Sequence, residues 1–313
     1  MELLFIIDPP DSLKAYKDTS VAMMRAAQKR GHAVWVCEQE RLHWKQQRVS
    51  AEAHRIHLTD NDEDWYRPHE RALRALTDFG ATLMRKDPPF DLEYVTSTWL
   101  LSQAVRDGAR VFNAPDAIRD HNEKLAIAEF VRLTVPSLVA RAMDELQGFI
   151  AEHGDVVLKR LDGMGGHGVF RVRHDDPNRN VIVETVSELG ARTVMAQRYI
   201  PEITEGDKRV ILIDGKAAPH CLARIPKKGD LRGNLAQGAR GVAQPLTARH
   251  REIVEAVGPL LAKRGLLLVG LDVIGDYLTE VNVTSPTGFR EIQDQAGFDV
   301  AGMFLDALEK KVQ

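Results

Sequence analysis

Residues Leu3 to Ile7 are apolar without interruption, the pattern of a strand buried on both faces. Asp18-Thr19-Ser20 follows as a helix cap, Val21 to Arg30 as the helix and Gly31 as its stop. Ala33 to Cys37 is the next apolar strand and completes a βαβ unit. Residues 41–64 are polar and irregular, which fits a hairpin with a loop. Beyond them the spacing predicts a helix over Arg71 to Phe79, a strand over Ala81 to Met84, a helix over Glu93 to Arg106 and a short strand at Arg110 to Phe112. Strands alternating with helices imply a parallel sheet, so residues 1–120 are expected to form an N-terminal α/β domain.

The pattern changes at Asn122. Asn122-Glu123-Lys124 opens an amphipathic helix to Val131, followed by a strand at Val135 to Val139 and a helix from Asp144 to His153. Two apolar runs then flank a glycine-rich turn, and a helix over Asn180 to Leu189 precedes a strand over Val194 to Ile200. These make an α+β unit over 121–200. The last unit, 201–313, holds an antiparallel pair, Lys208 to Ile213 and Ala217 to Arg224, joined by Asp214-Gly215. Residues 225–242 are rich in glycine and carry Lys227, Lys228, Arg232 and Arg240, the composition of a long loop or lid. A helix over Ala248 to Arg264, strands over Leu266 to Ile274 and Leu278 to Val283, and a helix over Val300 to Lys311 complete the chain.

Composition narrows the class. A chain of 313 residues with 44% apolar and 28% charged residues has the make-up of an ordinary globular protein. Its net charge of −3 implies neither a nucleic-acid partner nor a membrane surface. Cys37 and Cys221 form no C-x-x-C pair, which argues against a disulfide framework or a thiolate zinc site and fits a reducing cytoplasm. The apolar run at Met1 to Ile7 is too short for a signal peptide, and nothing approaches the roughly 20 apolar residues of a membrane span.

The glycine-rich turn runs Lys159-Arg160-Leu161-Asp162-Gly163-Met164-Gly165-Gly166-His167-Gly168, and its letters match G-x-G-x-x-G. A dinucleotide fold needs a helix straight after the last glycine, to hold the pyrophosphate on its N-terminus. Val169 to Arg173 instead alternates with period two, so a strand follows and that reading fails. A strand–glycine loop–strand flap over nucleotide phosphates remains, with a flexible surface hairpin as the bland alternative. Asp78-Phe79-Gly80 spells the kinase D-F-G but lies upstream of the loop, with no H-R-D between, and reads as a helix end closed by Gly80.

A second candidate lies near the C-terminus. Asp272 interrupts an apolar strand, and Leu278-Thr279-Glu280-Val281-Asn282-Val283 alternates so that Glu280 and Asn282 share a face. Two carboxylates and an amide oxygen match the hard oxygen ligands of magnesium, although the same alternation fits the solvent face of an edge strand. A two-residue loop at Gly275-Asp276 would point Asp272 away from Glu280, so a three-residue loop with a positive φ at Gly275 or Asp276 is expected. Lys124, Lys159, Arg209, Arg232 and Arg290 come from separate segments and together fit clamps on a transferring phosphoryl group. Met84 to Phe90 sits at the carboxyl end of a strand, where open sheets bind ligands, and reads either as a rigid connector with solvated charges or as a stiff loop that offers Arg85 to a carboxylate.

In combination these stretches closely resemble the ATP-grasp superfamily: Lys159 with the glycine flap, Met195 to Ile200, Asp207-Lys208-Arg209, Gly270-Leu271-Asp272 and Glu280-Val281-Asn282. Met84 to Phe90, Leu158 to Gly166, Cys221 to Pro226, Arg232 to Leu235 and Asn282 to Thr287 are similar to the bacterial-type glutathione synthetase family, over nearly the whole chain. The resemblance implies an ATP-grasp fold preceded by a parallel-sheet pre-ATP-grasp domain, and ATP-dependent joining of γ-glutamylcysteine and glycine through an acyl phosphate. By the same resemblance Lys124, Lys159, Gly163, Met164, Gly165 and Gly166 serve the phosphates of ATP, and Gln197, Tyr199, Ile200 and Asp207 hold adenosine. Asp272, Glu280 and Asn282 would hold Mg²⁺ or Mn²⁺, and Arg209, Arg290 and Arg232 would stabilise transferred charge. Asp18, Ser20, Arg85, Asn234, Ser285 and Thr287 would line the substrate site, with residues 225–241 as the lid. A cytoplasmic homotetramer is also implied.

Two positions depart from the family pattern: Arg160 stands where proline is expected, and His167 where a small residue is usual. Arg160 is expected to face solvent. Competing readings are an ATP-grasp ligase for another carboxylate and amine, and a nucleotide-binding scaffold without turnover.

Overall fold

The computed structural model describes residues 1–227, 229, 233, 235 and 238–313. Its elements run β1 (Glu2–Ile7), α1 (Thr19–Lys29), β2 (Ala33–Glu38), β3 (Leu42–Lys45), β4 (Arg48–Leu58), β5 (Tyr66–Ala75), β6 (Ala81–Met84), α2 (Leu92–Arg106), β7 (Val111–Phe112) and α3 (Pro115–Asp120). Then come β8 (Ser137–Ala140), α4 (Met143–His153), β9 (Asp155–Arg160), β10 (Val169–Arg173), α5 (Arg179–Ser187) and β11 (Val194–Arg198). The remainder is β12 (Asp207–Ile213), β13 (Lys216–Ile225), β14 (Arg240–Pro245), α6 (Ala248–Lys263), β15 (Leu268–Ile274), β16 (Tyr277–Asn282), α7 (Phe289–Ala296) and α8 (Val300–Val312).

Among the described residues the strands form three sheets, ordered β3-β4-β2-β1-β6-β7 with β5 on β4, β10-β9-β11-β8, and β14-β13-β12-β15-β16. The uniform apolar run of β1 puts it between parallel β2 and β6, buried from Leu3 to Ile7. The first sheet is only partly parallel, because β4 runs antiparallel to β2 and carries β3 and β5. The stretch expected to be irregular thus builds an antiparallel extension. The helix expected over Arg71 to Phe79 is instead the end of β5 followed by a single 3-10 turn, Leu76–Asp78. Ala72, Leu76 and Phe79 sit at helical spacing, which misled the reading; pairing of Ser50 to Leu58 with β5 overrides that local pattern. Period two turns Leu73 outward and Arg74 inward, where its guanidinium lies over the Trp35 and Phe79 rings and donates to Glu2.

The helix expected from Lys124 is a 3-10 segment, Leu125–Leu133, with non-helical angles at Phe130. The patterning did not foresee α3, β14 or α7. Strand β14 pairs with β13, so the tail of the glycine-rich stretch is structured. One core joins α1 and α8 to the last sheet, through Val21, Met24, Phe304 and Leu308 against Ile211, Leu222 and Phe289. Asn113 bolts the first sheet to the last: its amide donates to the carbonyls of Leu268 and Val283 and accepts from Leu268 N–H.

Candidate active site

Alternation along β9 sends Val156 and Leu158 into a core with α4 and α5, which leaves Val157 and Lys159 facing the opposite side. That side is one wall of a cleft of about 720 Å³. The glycine turn covers it, with Gly165 and Gly166 both at positive φ (65° and 79°), a conformation side chains disfavour.

The floor of the cleft is the end of the face of the last sheet that also carries Ile211 and Leu222, opposite the face packed on α6. Cross-strand pairing places Asp207 opposite Arg224, Arg209 opposite Asp272, Asp272 opposite Glu280, and Gly270 opposite Asn282. The predicted three-residue loop between β15 and β16 is not there. Ile274 pairs with Tyr277 across a two-residue loop, with Gly275 at φ 56°, and the odd residue is Thr279, bulged between Leu278 and Glu280. Thr279 Oγ donates to the Asp272 carbonyl at 3.1 Å. The bulge therefore brings Asp272 and Glu280 to one face, as the chemistry required, by a different route.

Each of these carboxylates has its own cations. Asp272 accepts from Arg209 Nε at 2.5 Å and Nη2 at 3.0 Å, and lies 2.8 Å from Arg224 Nη2. Burial alone would raise its pKa, but the two guanidiniums outweigh that and hold it well below the usual range. Glu280 lies 3.5 Å from Lys159 Nζ and 3.7 Å from Lys124 Nζ. These lysines likewise overcome burial and lower its pKa. One carboxylate shared by two ammoniums leaves Lys159 with a lowered pKa, through burial and repulsion from Lys124. Lys124 also donates to the Gly163 carbonyl at 2.5 Å, tying the flap to the floor.

Arg224 and Glu123 escaped sequence reasoning. Arg224 bridges Asp272 and Asp207, and burial pushes Asp207 up to about 6 while its Oδ1 finds no partner. A lone charge inside Cys221-Leu222-Ala223-Arg224-Ile225 was the available signal. Glu123 is half-buried in the lining of the cleft and accepts from Val283 N–H, Thr284 N–H and Thr284 Oγ. Asn122 donates to the Leu161 carbonyl, so this tripeptide fixes Lys124 beside Glu280.

Of the expected site residues, Lys124, Lys159, Gly163, Met164, Gly165, Gly166, Gln197, Tyr199, Ile200, Asp207, Asp18, Ser285, Thr287, Arg209, Asp272, Glu280 and Asn282 all line the cleft. Arg85 and Ser20 stand behind its wall: Arg85 Nε donates to Ser20 Oγ and Nη2 to the Pro286 carbonyl, bracing the 285–287 segment. Arg290 does not reach the cleft, because its guanidinium lies 3.5 Å from Asp62 and 3.9 Å from Asp294. Arg232 and Asn234 lie outside the described residues, as does part of the 225–241 lid. Arg160 is not simply solvated; it joins Asp162 and Glu188, which Arg192 also contacts.

Among the described residues no three His, Cys, Asp or Glu side chains gather as a metal cage. The donors that fit a hard divalent ion are the Glu280 carboxylate and the Asn282 amide oxygen, since Asn282 Nδ2 already donates to the Gly270 carbonyl at 3.1 Å. Both oxygens of Asp272 are engaged by arginine. Toward the outer end of the cleft, Val157, Val169, Ile200 and Ile274 form an apolar slot beside Arg171, whose guanidinium pairs with Asp155 and lies 3.6 Å from the Tyr199 ring centre.

Comparison with known proteins agrees with this arrangement. The family description "prokaryotic glutathione synthetase, N-terminal domain" matches residues 1–119, and "prokaryotic glutathione synthetase, ATP-grasp domain" matches 123–297. The glutathione synthetase of Ralstonia nicotianae is 57% identical over 310 residues, covering 99% of this chain and 96% of its own. That of Nitrosomonas europaea is 55% identical, covering 100% and 98%. Among solved structures, the D-cycloserine synthetase DcsG superposes with a TM-score of 0.71 over 99% of this chain and 100% of its own, at 16% identity, which shows a shared fold. No helix among the described residues is long and apolar enough to cross a membrane. The chain belongs to the prokaryotic glutathione synthetase family, with the ATP-grasp fold preceded by that family's N-terminal domain.

Proposed function

We propose that the cleft carries out the ATP-dependent ligation of γ-glutamylcysteine and glycine to glutathione, with this chain's residues in the roles below. The observation that carries the assignment is the divided charge of the floor, Glu280 with two lysines and Asp272 with two arginines. Lys124 and Lys159 bind the phosphates of ATP under the glycine flap, and the slot beside Tyr199 and Ile200 takes adenosine. The cysteinyl carboxylate attacks the γ-phosphorus and ADP leaves. The amine of glycine then attacks the acyl carbon, giving up a proton, and inorganic phosphate departs with the C–O bond electrons. Arg209 and Arg224 face the charge that builds on the acyl phosphate and its tetrahedral successor. Glu280 and Asn282 would hold Mg²⁺, or Mn²⁺ in its place, with Asp272 opposite Glu280; when bound, the ion neutralises phosphate charge. Asp18, Ser285 and Thr287 contact the peptide substrate, while Arg85 and Ser20 position the segment that carries Ser285 and Thr287. Excluding water protects an intermediate that would otherwise hydrolyse.

We assign residues 1–120, 121–200 and 201–313 as the three units, one sheet to each, and family membership supports a cytoplasmic homotetramer. The test is ADP release coupled to NADH oxidation. It is expected only with both γ-glutamylcysteine and glycine present. Faster ADP formation with D-alanine alone, or with glutamate and an amine, would overturn the substrate assignment. ATP binding without turnover for any pair would favour a scaffold.

A further inference from the structure

Arg290 was the expected cleft residue of α7, yet its neighbour Glu291 is the one that lines the cleft. Glu291 Oε2 is buried and has no hydrogen-bond partner. Of the neighbouring acids, Asp8 is engaged by Lys86 Nζ at 2.8 Å and by the Asp87 N–H, and Asp18 by the Val21 N–H at 2.8 Å. A buried carboxylate oxygen without a donor is costly and calls for a ligand group that donates to it. Burial raises the Glu291 pKa, Lys17 opposing it, as expected where a cationic partner is missing.

Position narrows what that partner is. Gly288 lies against the Arg209 side chain, 3.8 Å from an added Cβ to Arg209 Cγ, so α7 starts beside the reacting end of the floor. Glu291 is three residues farther, about 4.5 Å along the helix axis. Thr19 Oγ accepts from the Gly288 and Phe289 N–H groups, which locks α7 to α1 and holds Glu291 beside the cleft residues Lys17 and Asp18. A γ-glutamyl dipeptide separates its reactive carboxyl carbon from its α-nitrogen by seven bonds, about 9 Å when extended. It therefore presents an ammonium about 9 Å from the reacting carboxylate, a span that matches a residue one turn into a helix starting beside Arg209.

Resting on the substrate assignment above, we propose that Glu291 is the specificity-determining residue for the α-ammonium of the γ-glutamyl group, accepting its hydrogen bond at Oε2. The site selects peptides that carry a free amino group at this end over those that carry only a carbon chain.

The experiment compares γ-glutamylcysteine with glutarylcysteine, which has hydrogen in place of the ammonium, in the wild type and in Glu291→Gln and Glu291→Asp. A charge-assisted contact predicts that the wild type favours γ-glutamylcysteine in kcat/KM by about 10- to 100-fold. In Glu291→Gln the ratio falls toward one, through a higher KM for γ-glutamylcysteine, while KM for ATP and glycine stays within about two-fold; Glu291→Asp recovers part of the preference. A wild type without preference, or a glutamine variant that keeps it, overturns the proposal. Should the glutamine variant fail to fold, the wild-type ratio and the aspartate variant still decide. No turnover of γ-glutamylcysteine by the wild type would instead overturn the substrate assignment, and this proposal with it.

Discussion

Replacing Asp272 by asparagine tests whether this carboxylate serves first as the anchor of two arginines. Three contacts are at stake: Arg209 Nε at 2.5 Å, Arg209 Nη2 at 3.0 Å and Arg224 Nη2 at 2.8 Å. An asparagine keeps one acceptor and turns an N–H₂ toward a guanidinium, so at least one contact becomes donor against donor. All three side chains are buried, and breaking such a pair leaves positive charge without compensation, at a cost of about 3–5 kcal/mol. The three contacts are not additive, because they share one carboxylate, so that range is taken as the whole effect. The assay is urea unfolding of the ligand-free protein followed by circular dichroism. The double variant Asp272→Asn/Arg224→Met should recover part of the loss, since it also removes one stranded charge. A loss below about 1 kcal/mol, or strict additivity in the double variant, would refute the anchor and leave Asp272 as a metal ligand only.

Further outcomes follow from the same geometry. Deleting Thr279 removes the extra residue but leaves Asp272 paired with Glu280 in a regular hairpin, so both carboxylates stay on one face and ADP formation should persist; lost activity would show that the bulge itself is required. Glu280→Gln should abolish turnover at every Mg²⁺ concentration titrated into the ADP assay; wild-type turnover in that variant would remove Glu280 from the metal assignment. The raised pKa of Asp207, about 6 against an unfolded value of 3.8, means that the native state takes up a proton first as pH falls. That group's contribution should therefore increase stability by about 1 kcal/mol between pH 7 and 5, and the increment should vanish in Asp207→Asn, measured by urea midpoints. Cys37 and Cys221 are buried, with their thiol pKa values pushed up by burial, that of Cys221 to about 11; iodoacetamide should label neither until the protein is unfolded.

What the sequence disclosed follows a physical line. The flap was legible because a change of period, from glycines to strict alternation at Val169 to Arg173, excludes the helix a dinucleotide site needs. Asp272 was legible because a charge inside an uninterrupted apolar strand needs partners. The partners themselves were only half legible: Arg209 came from a different strand of the sheet, and Arg224 from a strand read for its apolar residues. The bulge at Thr279 left no mark, since a threonine inside a strand is ordinary and only the opposing strand reveals the extra residue. The helix expected over Arg71 to Phe79 failed because β4 supplied an edge that no local pattern announces. On α7 the helical spacing decides between Arg290 and Glu291, and without the helix the arginine was chosen for its charge and for the family resemblance.

The charges of the floor are arranged so that none is stranded while the cleft waits for substrate. Lys124 and Lys159 are the groups assigned to the phosphates, and without phosphate they rest on Glu280. Glu280 is the group assigned to the divalent cation, and without the cation it rests on those lysines. On that assignment, binding the nucleotide would be an exchange of partners, in which the lysines pass to phosphate oxygens and Glu280 is freed for the divalent ion it would hold. Lys124 and Lys159 are already buried in the free protein and Glu280 is partly so, which makes the exchange cost less than burying fully exposed charges would. Asp272 and its arginines stay outside that exchange. On the same assignment Asp272 would hold Arg209 and Arg224 in place at the acyl end, where a preorganised donor is worth more than one that must reorient during the reaction. This division explains why a face carrying two adjacent carboxylates, cross-strand neighbours that repel one another, is stable at all: each is neutralised from its own side.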